Sequence, residues 1–170
     1  MTSQDMEKLE IVDEEGHVIG LTERSELHRN PGLIHRVVHV LVFNNNGGLL
    51  LQKRSVRKDV APGKWDTSVG GHISPGEDVV AAARREMEEE LGIKGCELRY
   101  LYRYLFSNQR ESELVNTYSC IYEGKMDFNK EEIDEVSFWD IETIKENLGR
   151  HIFSGHFEKE IQRFLGMEKE

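Results

Sequence analysis

Cysteine is scarce: the chain has two, Cys96 and Cys120, 24 positions apart and with no C-x-x-C spacing. That excludes a disulfide framework and a zinc knuckle, and fits a reducing compartment with both thiols buried. No apolar run approaches the ~18 residues of a membrane-spanning helix. The opening Met-Thr-Ser-Gln-Asp-Met-Glu is too acidic and polar for a secretory signal. A cytoplasmic protein with no membrane partner is expected. Positive charge is short too, with 22 Lys and Arg against 32 Asp and Glu, a net −10. Such a field repels nucleic acid, and a small anion entering it needs a cation. Repeats, low-complexity tracts and linkers are absent, and 170 residues suit one domain and not two.

What is present falls into strand and helix patterns. Residues 9–20 read as a β-hairpin turning at Glu-Glu-Gly, and its edge leaves a homodimer open. Ile34 to Phe43 is β-branched and apolar, and Asn-Asn-Asn-Gly-Gly predicts a second, stronger hairpin into Leu49-Leu50-Leu51. Lys53 and Arg54 follow, and strand alternation turns one of them toward the site face, a candidate contact for a phosphate or else a solubilising edge charge. Trp65 to Val69 is a short extended piece, with Trp65 anchoring the core or a loop, the reading preferred to its flanking a substrate ring. Ser74-Pro75-Gly76-Glu77 has the pattern of a helix start, which places a helix from there to Gly92. Residues 97–106, 113–123 and 136–139 read as strands. Asp140 and Ser154 cap two further helices, the last with Phe157, Ile161, Phe164 and Leu165 on one face. This order implies α+β or a mixed α/β/α sandwich.

The acidic excess gathers at residues 86–90, Glu-Met-Glu-Glu-Glu. At about 100° per residue, Glu90 lies near 40° and Glu89 near −60° from Glu86, so three carboxylates share a face. Val80, Ala83, Met87 and Leu91 form the adjoining apolar stripe, and Glu88 points to water. Like charges crowded at the edge of a core require a cation. All-oxygen ligands suit Mg2+ or Mn2+, ions that hold substrate phosphates. A merely solvated acidic face is the alternative.

From Gly71 the chain reads Gly71, five residues, Glu77, seven residues, Arg85-Glu86-Met87, one residue, Glu89-Glu90, one residue, Gly92-Ile93. Seven identities and two apolar positions at this spacing arise by chance on the order of once in ten million such chains. Residues 71–93 resemble a complete Nudix box, and the elements on both sides resemble the Nudix fold. The resemblance implies a single Nudix hydrolase domain over 1–170: an α/β fold, an α/β/α sandwich with a mixed β-sheet and here an N-terminal β-hairpin. It implies hydrolysis of a diphosphate linkage in a small molecule, often a nucleoside diphosphate derivative, with Mg2+ or Mn2+. The implied metal ligands are Glu86, Glu89, Glu90 and the Gly71 carbonyl. Glu89 and Glu90 lead the catalytic candidates, and Arg85 and Glu77 are orienting residues. Alternatively, Glu77 only completes a capping box with Ser74, and Arg85 only pairs with its own helix.

A second resemblance covers the first half of the chain. Ile11 to Gly20, His28, His35, Pro62-Gly63, Trp65 and Val69-Gly70-Gly71-His72 are similar to type I isopentenyl-diphosphate isomerases, which share the Nudix fold. It implies a further metal site of His28, His35, His72, Glu111 and Glu113, a donor set suited to Mn2+ or Zn2+. Those isomerases carry a catalytic Cys before the Gly-His pair, where this chain has Gly70, and glycine delivers no proton. Cys96 and Cys120 fall elsewhere, as packed thiols. Hydrolysis is therefore the expectation, with an isomerase lacking its cysteine, or a non-catalytic nucleotide-binding module, as alternatives. Glu113, if it begins a strand facing the box, is the candidate base that activates water; a solvated strand-end carboxylate is the competing reading.

Overall fold

The computed structural model describes residues 2–4 and 6–168. Met1 and Asp5 of the acidic amino terminus, and Lys169-Glu170, lie outside the described residues. The chain runs β1 (Lys8–Val12), β2 (Val18–Glu23), a short α1 (Arg24–Leu27), β3 (Ile34–Phe43), β4 (Leu49–Arg54), β5 (Trp65–Asp66) and β6 (Val69–His72). It continues through α2 (Val79–Leu91), β7 (Arg99–Ser107), β8 (Ser112–Ile121), β9 (Ile133–Trp139), α3 (Ile141–Asn147) and α4 (Gly155–Glu168).

Strand β3 organises one mixed sheet. It pairs parallel with β8 along its whole length, His35 opposite Glu113, and antiparallel with β6, His39 opposite Gly70. β1 and β2 form the expected hairpin, and β1 joins β3 at Ile11 and Val12. The expected second hairpin forms only beside its turn: β3 and β4 pair at Phe43 and Leu49, after which β4 leaves to pair with β9 and β5. The turn at 44–48 forms as a loop in which Asn44 Oδ1 accepts from the Gly48 N–H at 2.7 Å. The partners of the apolar β3 are taken instead by strands far along the chain, because a strand buried on both faces gains most from neighbours on both edges.

Alternation along β3 divides the core into two layers. Val38, Val40 and Val42 pack with Ala83, Met87 and Leu91 of α2. Leu41, with Leu49 and Leu51, packs under Ile144 of α3 and Phe157 and Ile161 of α4. Helices on both faces of a mixed sheet make the α/β/α sandwich. Trp65 lies in the second layer, its ring 5.3 Å from that of Trp139, so it anchors the core as expected. Cys96 and Cys120 are both buried.

Two helix ends bear on the site. α2 does not start at Ser74: residues 74–77 form a turn with Gly76 at φ +73°, and Asp78 is the cap, its Oδ2 accepting from the Val80 and Ala81 N–H groups. Ser74 and Asp78 both suit a cap, and the left-handed Gly76 between them ends the first turn before a helix can grow. At the other end Gly92 terminates the helix at φ +68°, as the spacing predicts. Ser154 caps α4, its hydroxyl accepting from the Phe157 N–H at 3.0 Å. Asp140 holds the cap position of α3 without a side-chain cap bond.

Candidate active site

Between β6, α2, β8 and α4 lies an open cavity of about 760 Å³. One wall is the acidic face of α2, with Glu86, Glu89 and Glu90 all bordering the cavity. Glu86 presses on Gly71: a Cβ at 71 would sit 2.2 Å from Glu86 Cδ and 2.4 Å from Oε1, so only glycine leaves the carboxylate where it stands. Glu90 is held by two donors, Gln52 Nε2 at 3.0 Å and the Gly70 N–H at 3.2 Å. Glu89 is the outermost of the three.

Arg85 ties this wall together. Its Nε and Nη2 grip both oxygens of Glu77 at 2.9 Å. Nη1 donates to Glu86 Oε1 at 2.8 Å and to Glu89 at 3.3 Å, and Nη2 also reaches the His72 carbonyl at 3.0 Å. Glu77 also accepts from the Ser74 N–H at 3.1 Å, inside the turn that precedes α2. The guanidinium pulls the Glu77 carboxyl below its usual range, and Glu77 in turn holds Arg85 above its own.

Burial raises the Glu86 carboxyl, against the pull of Arg85. Burial lifts Glu90 far more, and the Glu86 charge adds to it. Two partly buried carboxylates that each resist ionisation favour a further cation beside them. Their all-oxygen chemistry and the close approach at Gly71 fit a hard divalent ion.

The opposite wall is a histidine pocket. The rings of His28, His35 and His72 have centroids 5.2–5.7 Å apart. Their nitrogens lie within 4.8 Å of one another, as do donor atoms of His35, Glu111 and Glu113. His35 is fully buried with no hydrogen-bond partner for either nitrogen, Nε2 lying 3.8 Å from Glu113 Oε1. Burial drives His35 down to about 4, and burial followed by the charge of His35 depresses His72. A neutral imidazole with open nitrogens, which His35 has, is what a metal ligand requires.

Glu113 is buried, which removes the reading of a solvated strand end, and burial raises its carboxyl to about 7. The sequence reading missed His156, whose Nε2 lies 3.4 Å from Glu111 and 3.6 Å from Glu113. Burial disfavours its charge, but the Glu111 contact overcomes this and holds it up at about 9. Of the two basic candidates, Arg54 borders the cavity, held by Asp66 at 3.4 Å and the Val60 carbonyl at 2.8 Å. Lys53 does not border it. The strand alternation that turns Arg54 inward turns its neighbour away.

Residues 33–157 match the NUDIX domain. The chain belongs to the Nudix family. It is 37% identical over 136 residues to an uncharacterized Nudix hydrolase of Pseudomonas aeruginosa, covering 80% of each chain. It is also 34% identical over 155 residues to the isopentenyl-diphosphate delta-isomerase of Streptomyces avermitilis, covering 88% of this chain and 79% of that one. Among solved structures, DR0079 from Deinococcus radiodurans matches with a TM-score of 0.80 and 25% identity, over 92% of this chain and 98% of that one. The MutT protein of Methanosarcina mazei matches at 0.68 and 24%, over 83% and 98%. Nudix membership supports an enzyme that hydrolyses a pyrophosphate bond, with a Nudix-fold isomerase as the alternative among its relatives. No helix among the described residues is long and apolar enough to cross a membrane.

Proposed function

We propose that this chain hydrolyses a diphosphate linkage in a small molecule, a nucleoside diphosphate derivative before others, with Mg2+ or Mn2+ held by Glu86, Glu89, Glu90 and the Gly71 carbonyl. The observation that carries the reading is the pair of partly buried carboxylates Glu86 and Glu90 on one wall of the cavity, each already fixed by its own donors. When bound, the ion neutralises phosphate charge and lowers the pKa of a bound water. The protein's own work is positional. Arg85 orients Glu86 and Glu89 through one guanidinium, and Gln52 with the Gly70 N–H fixes Glu90. Arg54 meets the substrate's phosphate charge. Glu113, with its carboxyl near neutrality, takes the proton from the attacking water. His28, His35, His72, Glu111 and Glu113 are suited to a second ion.

The isomerase reading is favoured by one observation, this same His and Glu cluster in a chain similar to an isomerase over most of its length. Against it, Gly70 supplies no acid, and Cys96 and Cys120 are packed in the core around α2. A panel of nucleoside diphosphate sugars, dinucleotides, coenzyme A and nucleoside triphosphates with Mg2+ tests the hydrolase, product masses identifying the bond cut. Isopentenyl diphosphate in deuterated water tests the isomerase, which incorporates deuterium and leaves the diphosphate intact. Deuterium uptake with no hydrolysis anywhere in the panel would reverse the order of the two.

A further inference from the structure

His39 is a polar residue in the middle of the apolar β3, and neither the glutamate wall nor the histidine pocket includes it. It stands directly opposite Gly70 of β6. A Cβ built at 70 lies 3.2 Å from His39 Cδ2 and 3.5 Å from Nε2, so glycine there leaves the imidazole its room. The Nε2 edge of the ring thus lies against Gly70, whose N–H holds Glu90, and His39 borders the cavity.

The other ring nitrogen is committed elsewhere. Nδ1 lies 3.3 Å from Glu160 Oε1, a carboxylate of α4 with no solvent exposure. Thr117 Oγ1 of β8 donates to that oxygen at 2.8 Å, and the Tyr102 hydroxyl of β7 donates to Oε2 at 3.0 Å. A carboxylate only accepts, so Nδ1 carries a proton, and the ring cannot turn over without losing that bond. Burial opposes both charges, but the contact between them raises His39 and lowers Glu160. A buried ion pair pays for two desolvations, and apolar residues of similar volume commonly stabilise such a position at least as well. Leu41 and Ile161 pack β3 against α4 in that apolar way close by. What the contact adds is a ring whose Nδ1–H is committed to Glu160 and whose Nε2 is held at the cavity wall; Nε2 donates in the imidazolium, the form that the Glu160 carboxylate stabilises.

We infer that His39 is a substrate-binding residue whose Nε2–H donates to a phosphate oxygen of the substrate beside Glu90, and that Glu160, Thr117 and Tyr102 are positioning residues for its ring. The inference rests on the reading of this cavity as a diphosphate site. The test is binding of inorganic diphosphate with Mg2+, measured by calorimetry on wild type, His39→Leu, His39→Gln, Glu160→Gln and the double variant His39→Leu/Glu160→Gln. Loss of a hydrogen bond from a charged donor weakens binding by about tenfold or more. His39→Leu shows that loss, and His39→Gln, which keeps an N–H, recovers part of it. Glu160→Gln weakens binding, and the double variant binds no worse than His39→Leu alone, because Glu160 acts through the imidazole. In wild type labelled with 15N-histidine, the His39 Nε2 resonance moves when diphosphate is added, and this decides the matter if His39→Leu does not fold. Diphosphate binding within twofold of wild type in His39→Leu, or an unmoved Nε2 resonance in a wild type that binds, overturns the role of His39 and leaves the cavity reading standing. Failure of wild type to bind diphosphate overturns both.

Discussion

Replacing Gly71 with alanine adds one methyl group at the point where β6 meets the glutamate wall. That methyl would lie 2.2 Å from Glu86 Cδ, so the carboxylate has to retreat by about 1.2 Å to reach ordinary contact. Its retreat is opposed by Arg85, which holds Oε1 at 2.8 Å while both its other nitrogens are engaged by Glu77. A misplacement of about 1 Å at a reacting centre costs on the order of 10²-fold in rate. The fold pays far less. Gly71 does not have a left-handed backbone, so alanine itself is allowed there. Loss of the partly exposed Arg85–Glu86 contact is worth no more than about 1 kcal/mol, or roughly 2–4 °C in melting temperature. Initial rates on the best substrate of the panel, read beside thermal unfolding, separate the two effects. Gly76→Ala is the control: its φ of +73° makes alanine strained, but no atom lies within 4 Å of the added Cβ. It should lose stability and keep activity. A Gly71→Ala protein within threefold of wild-type turnover would refute the argument that Glu86 must stand where it does.

Asp78→Ala removes the α2 cap and costs about 1 kcal/mol, a fall of roughly 2–4 °C on thermal unfolding, whereas Ser74→Ala leaves the melting temperature nearly unchanged. Arg54→Ala raises KM about tenfold by loss of a charge-assisted phosphate contact, and Lys53→Ala does not, which steady-state kinetics on the two variants will show. His156 is raised from 6.5 to about 9 in the folded protein, so its contribution to stability is complete below pH 6.5 and is lost as pH rises through 9. Melting temperatures of the metal-free protein should fall across that window, and less steeply in His156→Gln.

The parts of this site that lie close together in the chain were legible in its sequence. Seven box residues within 23 positions imply α2, the shared face of Glu86, Glu89 and Glu90, and the glycine against which Glu86 packs. The histidine pocket was legible only through resemblance, since His28 follows α1, His35 lies on β3 and His72 on β6, and only the fold brings the three rings together. The pairing of β3 with β8 was not legible: the turn after Phe43 argues for a local hairpin, and nothing local reveals a parallel partner beginning at Ser112. The same distance hid His39 and Glu160, which are 121 residues apart. A signal existed for both, because each is a polar residue on an apolar face, His39 between Val37 and Leu41 on its side of β3 and Glu160 about one turn from Phe157 and Phe164 of α4. Periodicity marks such positions as buried without saying what satisfies them. The sequence misplaces the start of α2 at Ser74, because nothing local reveals the left-handed Gly76 that separates that turn from the cap at Asp78.

The central claim is that the carboxylates of α2 direct water onto phosphorus. Its most direct test is the rate of 18O transfer from labelled water into the phosphorylated product, with Mg2+, for Glu90→Gln against wild type. Glutamine keeps an oxygen for the Gly70 N–H and removes the charge, so the variant should fold as wild type and lose turnover by about 10³-fold or more, the scale at which key electrostatic groups act. Label transfer in Glu90→Gln within fivefold of wild type would contradict the account.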